Sequence, residues 1–332
     1  MTWHALGSAV CKLGESPFWQ AQENRLYWVD IDGQALLRAD WASGSTERWP
    51  MRSEPGCFAP ATTAGAPSGW VMALRNGIYR AQQWGGELTC IARLPYDPAV
   101  HRANDGKCDP QGRMWVGTRD EQSGSTAAMY CIEAADDRAR VRRWWNQAGT
   151  LNGLAWSPDA RTLYSADTPT HRIEQRPWNA VTGEPGVART FHAFAAKPEG
   201  WTPAEGRRDD VRRDGLRDGG RPYGGRPDGA AVDVDGNYWC ALYEGGRVVQ
   251  LSPTGALLQE IAVPAMCPTM VCLGGPQLRT LCVTTASRGR AADELARTPL
   301  AGQVLVLDAP VQVPGLPVNH FQETVPLAAL AQ

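Results

Sequence analysis

The run PDGAAVDVDGNYWCALYEGGRV, residues 227–248, decides how the chain is to be read. It has three parts: a polar head at Pro227, Asp228 and Gly229, a short apolar segment, and a turn that leads into an alternating, aromatic-rich run. Asp228 before Gly229 is by itself an ordinary turn pair. What makes it informative is that the same three parts recur along the chain.

Polar-headed apolar segments occur as GESPFW from residue 14, GCFAPAT from 56, NDGKCD from 104, NGLAWS from 152, PDGAAVD from 227 and CPTMVCLG from 267. Each is followed by a turn and a strand-like run, such as DPQGRMWVGTRD, SPDARTLYSADT or GGPQLRTLCVTTA. With Glu15, Cys57, Asn104, Asn152, Asp228 and Thr269 taken as equivalent, the intervals are 42, 47, 48, 76 and 41 residues. A period of about 40–50 residues is that of a four-stranded propeller blade. Six units predict an all-β, six-bladed β-propeller of four-stranded antiparallel blades, a single domain over residues 1–332. The 35 glycines, 25 prolines and 14 tryptophans suit short strands joined by many turns, and no alternation of strands with amphipathic helices is found.

The long interval holds residues 196–226, rich in Gly, Arg and Asp and nearly free of aliphatic side chains. Such a segment buries little surface and reads as a solvated insertion or, because it ends just before Asp228, as a lid.

Inner strands of a propeller line its channel, so equivalent residues at their starts converge on one axis. Glu15, Asn104, Asn152 and Asp228 then aim two carboxylates and two carboxamides at one place. Oxygen donors of this kind suit a hard divalent cation such as Ca²⁺, Mg²⁺ or Mn²⁺, and carboxylates also bind Zn²⁺. A carboxylate pair in a narrow channel is costly without such a counter-ion.

Other chemistries find no support. The formal charge of −2 shows no basic stripe for nucleic acid. No run of about 18 apolar residues marks a membrane span and no signal peptide is seen, so a cytoplasmic location is expected. The nine cysteines lack paired zinc spacing and read as reduced core thiols. No G-x-S-x-G elbow, P-loop or dinucleotide fingerprint occurs, and the five histidines show no HExxH spacing. His101, beside Arg102, reads as a loop residue or a lining residue of the site.

The ordered motifs GESPFW, RANDGKCDPQGRMWVGT, NGLAWSPDARTLYSADT, GRPDGAAVDVDGNYWCALYEGGRV and CPTMVCLGGPQLRTLCVTTA resemble the gluconolactonase and regucalcin (senescence marker protein) family of six-bladed propellers. The resemblance spans roughly residues 10–320. It implies one divalent metal (Ca, Zn, Mn, Mg or Fe) held by Glu15, Asn152 and Asp228, and substrate contacts from Arg102 and Asn104. A further acidic contact falls on Asp120 or Glu121. The implied activity is hydrolysis of a sugar lactone, such as a glucono-, galactono-, xylono- or arabinono-lactone, to the aldonic acid, with Asp228 also serving as general base. The alternatives are a calcium-binding protein without catalysis and a propeller esterase or organophosphate hydrolase. The expected partner is a small lactone and the expected state a monomer or weak homo-oligomer. Asp105 has a structural alternative, bonding backbone amides in its turn.

Overall fold

A computed structural model describes residues 2–201, 223–323, 325 and 327. Of the segment 196–226, residues 202–222 lie outside the described residues, and with them most of the expected insertion. The described chain forms six small sheets arranged as a six-bladed β-propeller. The innermost strands, Gly14–Gln20, Pro55–Thr63, His101–Cys108, Leu151–Trp156, Arg226–Val232 and Pro268–Gly274, each carry one of the six equivalent residues. The repeat in the sequence is thus the repeat of blades.

Burial falls from the axis outward. Every residue of Gly14–Gln20 and of Pro268–Gly274 is buried, whereas in the outer strand Arg138–Ala148 every residue but Ala148 is exposed or half-buried. This is why the innermost segments read as continuous apolar runs and the outer ones do not.

The core is divided rather than single. Six apolar clusters fill the six gaps between neighbouring blades. Tyr27 and Val29 of the first blade pack with Phe58 and Met72 of the second, Trp115 of the third with Trp156 of the fourth, and Trp239 of the fifth with Val271 of the sixth. The remaining gaps are filled in the same way, including the one between the sixth and first blades, where Cys282 and Val306 meet Leu26 and Trp28. All nine cysteines are free, and eight are buried.

The aspartate that follows an inner strand has a repeated structural task. Asp109 accepts from the amides of Gln111 and Arg113 and from the Trp115 indole, at 2.9, 3.0 and 3.0 Å. Asp233 does the same for Asp235, Asn237 and Trp239, at 3.1, 2.9 and 2.9 Å. One carboxylate closes the turn and anchors the buried indole of the next strand, which explains the recurrent D-x-x-G-x-x-W pattern.

Closure uses both ends of the described chain. Trp3–Ala5 pairs with Leu305–Leu307 as the outermost strand of the sixth blade, so the first and last parts of the chain complete one sheet. Phe321–Glu323 pairs in parallel with Ala61, Thr62 and Thr63 on the inner side of the second blade. Residues 316–319, just before it, line one end of the central channel. No helix among the described residues is long and apolar enough to cross a membrane.

Candidate functional site

Each innermost strand breaks its pairing register at or beside the equivalent residue. The shifts fall between Glu15 and Phe18, Pro55 and Cys57, Ala103 and Asp105, Asn152 and Ala155, Pro227 and Ala230, and Pro268 and Met270. A bulge at a strand entrance re-aims side chains, and six of them surround the channel mouth. In the second blade the unpaired residue is Gly56, while Cys57 belongs to the core, so that blade contributes no polar group here.

Gly229 is needed for close approach rather than for an unusual φ. A Cβ there would lie 2.3 Å from Met270 Cγ in the sixth blade. Gly153 has φ +63°, a conformation that favours glycine, and its carbonyl accepts from Tyr238 Oη at 2.7 Å. Asn152 and Asp228 are therefore each followed by a residue that must be small.

Glu15, Asn104, Asn152 and Asp228 are all buried at this mouth, with exposures of 5, 6, 3 and 6%. A relay of hydrogen bonds joins three blades. Arg102 Nη1 donates to Asn104 Oδ1 at 2.8 Å, and Asn104 Nδ2 donates to Asn152 Oδ1 at 2.8 Å. Asn152 Nδ2 donates to Thr168 Oγ1 at 2.8 Å, and Thr168 Oγ1 donates to the Pro227 carbonyl at 2.7 Å. The relay ends one residue before Asp228.

The carboxylates are less well served. Glu15 Oε2 accepts from the Ser16 amide at 3.2 Å, and among the described residues no donor reaches the Asp228 carboxylate. Burial, reinforced by repulsion from Asp228 and Asp105, holds the Glu15 carboxyl well above the usual carboxylate range. Burial, and then the charge of Asp105, pushes Asp228 up to about 8. Asp105 is itself raised by burial; its Oδ2 accepts from the Leu154 amide of the next blade at 3.1 Å, and its Oδ1 is buried without a partner. Asp105 thus bonds a backbone amide, as expected, but across a blade gap.

Glu15 and Asp228, both buried and each raised further by the charge of a neighbouring carboxylate, are what a divalent cation would neutralise. No group of three or more His, Cys, Asp or Glu side chains able to hold a metal occurs among the described residues. The donor set of Glu15, Asn152 and Asp228 is instead two carboxylates and a carboxamide. Its under-served oxygens fit a hard cation, and Asn152 Oδ1 keeps a second lone pair beside the one used by Asn104.

The two acidic candidates after the third blade's second strand have different surroundings. Asp120 accepts from the Gln122 amide at 2.9 Å and from Thr126 Oγ1 at 2.5 Å, so it closes its own turn. Glu121 lies on the cationic side of the mouth, with Oε1 3.4 Å from Arg102 Nε and Oε2 2.8 Å from Arg75 Nη1. Because Thr126 Oγ1 gives its proton to Asp120, His101 Nε2 donates to Thr126 Oγ1, at 2.8 Å. Thr168, Arg75 and Arg119 at this mouth were not singled out by the sequence. Each lies in or just after the second strand of its blade, away from the polar heads that mark the inner strands.

Beyond the carboxylates the channel opens into a cavity of about 280 Å³ lined by residues such as Pro17, Lys107, Met270 and Leu316. Glu15, Asn152 and Asp228 are not among its walls, so the polar chemistry belongs to the mouth.

The family model described as SMP-30/Gluconolactonase/LRE-like region matches residues 13–287, which include every innermost strand. The chain belongs to this family. Within the SMP-30/gluconolactonase family, it is 38% identical over 306 residues to the 6-deoxy-6-sulfogluconolactonase of Pseudomonas putida, covering 91% of this chain and 92% of that one. It is 30% identical over 335 residues to Gallus gallus regucalcin, covering 95% and 97%. Among solved structures, the calcium-binding protein regucalcin from Agrobacterium tumefaciens superposes with a TM-score of 0.81 at 23% identity, over 96% of both chains. That likeness supports the six-bladed fold.

Proposed function

We propose that the protein hydrolyses a sugar lactone to the aldonic acid, with Glu15, Asn152 and Asp228 holding one divalent cation. The observation that carries this reading is the buried, mutually repelling carboxylate set at the mouth, inside a family whose named members include lactonases. When bound, the cation would supply Lewis acidity toward the lactone carbonyl oxygen.

The chain's own residues do the rest. Asp228 accepts a proton from the attacking water and returns it to the ring oxygen as the C–O bond breaks. Arg102, fixed by its bond to Asn104 and by Glu121, presents its buried guanidinium to the sugar hydroxyls. Asn104 Oδ1 and the Glu121 carboxylate offer acceptors to sugar hydroxyls, and the relay through Asn152 and Thr168 keeps these groups in register. The hydroxyl of water becomes part of the new carboxylate, and the former ring oxygen leaves as an alcohol.

The name of the Pseudomonas relative brings a sulfonated gluconolactone among the candidate substrates, beside glucono-, galactono-, xylono- and arabinono-lactones. A panel of these lactones, followed by proton release with metal-stripped protein and after addition of Ca²⁺, Zn²⁺, Mn²⁺, Mg²⁺ or Fe²⁺, tests the reading. Metal-restored hydrolysis above the spontaneous rate is expected. Metal binding with no turnover of any lactone would instead leave a binding protein.

A further inference from the structure

Arg119 is the cross-strand neighbour of Arg102 on the third blade, paired directly opposite it in the register of His101–Cys108 with Met114–Asp120. Like charges placed directly opposite in a sheet are destabilising, so an arrangement of this kind calls for a reason. The two guanidiniums differ in their partners. Arg102 is fully buried and held by Asn104 and Glu121, whereas Arg119 has no ion pair among the described residues, and its Nε is buried without a hydrogen-bond partner.

Arg119 belongs to the mouth. Its charge acts on both Asp228 and Arg102, and its backbone bridges to Thr150, beside the strand that carries Asn152. Arg288, paired with Asp32, adds to the same positive field at Arg102. At the start of the fifth blade, Arg226 shares the carboxylate of Glu244 with Lys197 and with Arg290, which also pairs with Glu294. Three cations there face two carboxylates, Glu244 and Glu294, so positive charge is left over beside the acids of the mouth.

We infer that the substrate carries an anionic group, a sulfonate, phosphate or carboxylate, on the sugar carbon far from the lactone carbonyl, and that Arg119 is the residue that reads it. This assignment rests on the lactone reading of the same site. A tetrahedral or planar oxyanion would take the N–H groups that Arg119 leaves unused and offset its repulsion with Arg102. The acidic end of the mouth would remain for the ring carbonyl, so the two ends of the substrate would be sorted by charge.

The test compares 6-deoxy-6-sulfo-, 6-phospho- and 6-carboxylate forms of the gluconolactone with the neutral parent, using wild type, Arg119→Gln and Arg119→Lys. Wild type is expected to favour at least one anionic lactone by about 10–100-fold in kcat/KM, the scale of one charge-assisted contact. Arg119→Gln should bring that ratio close to one, chiefly through KM, while Arg119→Lys keeps part of it. Which anion is preferred distinguishes the sources. A wild type that favours the neutral lactone, or an Arg119→Gln change that lowers neutral and anionic substrates equally, overturns the assignment while lactonase activity stands. If no lactone is hydrolysed, calorimetry with 6-sulfogluconate, 6-phosphogluconate and gluconate still decides. Tighter binding of the two acids that carry a sulfonate or phosphate, lost in Arg119→Gln, upholds it, and equal binding rejects it.

Discussion

The carboxamide of Asn104 donates to Oδ1 of Asn152 at 2.8 Å, tying the third blade to the fourth at the channel mouth. Asn152 is thereby oriented by a residue that is not itself in the proposed donor set. Loss of such an orienting partner typically costs about 10–100-fold in metal affinity or activity. Asn104→Ala should weaken divalent-cation binding on that scale, read by competition with a chelating indicator, while the β-sheet circular dichroism stays unchanged.

Proton competition gives a second expectation. Asp228 is raised to about 8 and Glu15 is also raised, so the cation-free site holds protons at neutral pH that a cation must displace. Cation affinity should rise as pH increases toward 8, with proton release detectable as a heat that varies with the buffer's ionisation enthalpy. An affinity independent of pH between 6 and 8 would contradict a site built on these carboxyls.

The same shifts give stability a definite slope. The folded protein binds a proton at Asp228 more tightly than the unfolded chain, whose aspartates titrate near about 4. Without a cation, stability is therefore fullest at low pH and is lost as pH rises from about 4 to about 8. Melting temperature measured in chelator should fall across that range, apart from general acid effects at its lower end, and saturating cation should flatten the slope.

Asp228→Asn separates activity from stability. It removes the proposed general base and one cation donor, so turnover should fall by about 10²–10⁴-fold. It also removes a carboxyl that the fold forces to take up a proton, so the melting temperature of the cation-free protein should rise. A fall in both would mean that the carboxylate is needed for the fold.

The two adjacent acids should behave differently. Glu121 touches Arg102 and Arg75, so Glu121→Gln is expected to raise KM for a lactone several-fold. Asp120 closes the turn to Thr126, and Asp120→Asn should lower the melting temperature by a few degrees with little change in KM. Steady-state kinetics on the two variants decides between them.

Much of this molecule was legible in its sequence because a propeller repeats one sheet. The spacing of Glu15, Asn104, Asn152, Asp228 and Thr269 marks the inner strands, and their polar heads announce a shared mouth. The task of Asp109 and Asp233 came only from the structure, although an aspartate six residues before a tryptophan acts locally. Cys57 was placed one residue from the bulge because a one-residue shift leaves no trace in an apolar run.

What only the tertiary structure decided are relationships between blades. The Asn104 to Asn152 bond spans 48 positions, the Asn152 to Thr168 to Pro227 relay runs on into the fifth blade, and the opposition of Arg119 to Arg102 follows from strand register. Periodicity reports which residues are equivalent within a repeat. Which of them touch, and which charge is left without a partner, depends on closing six sheets into a ring, and in this chain that closure is made by Trp3–Ala5 against Leu305–Leu307.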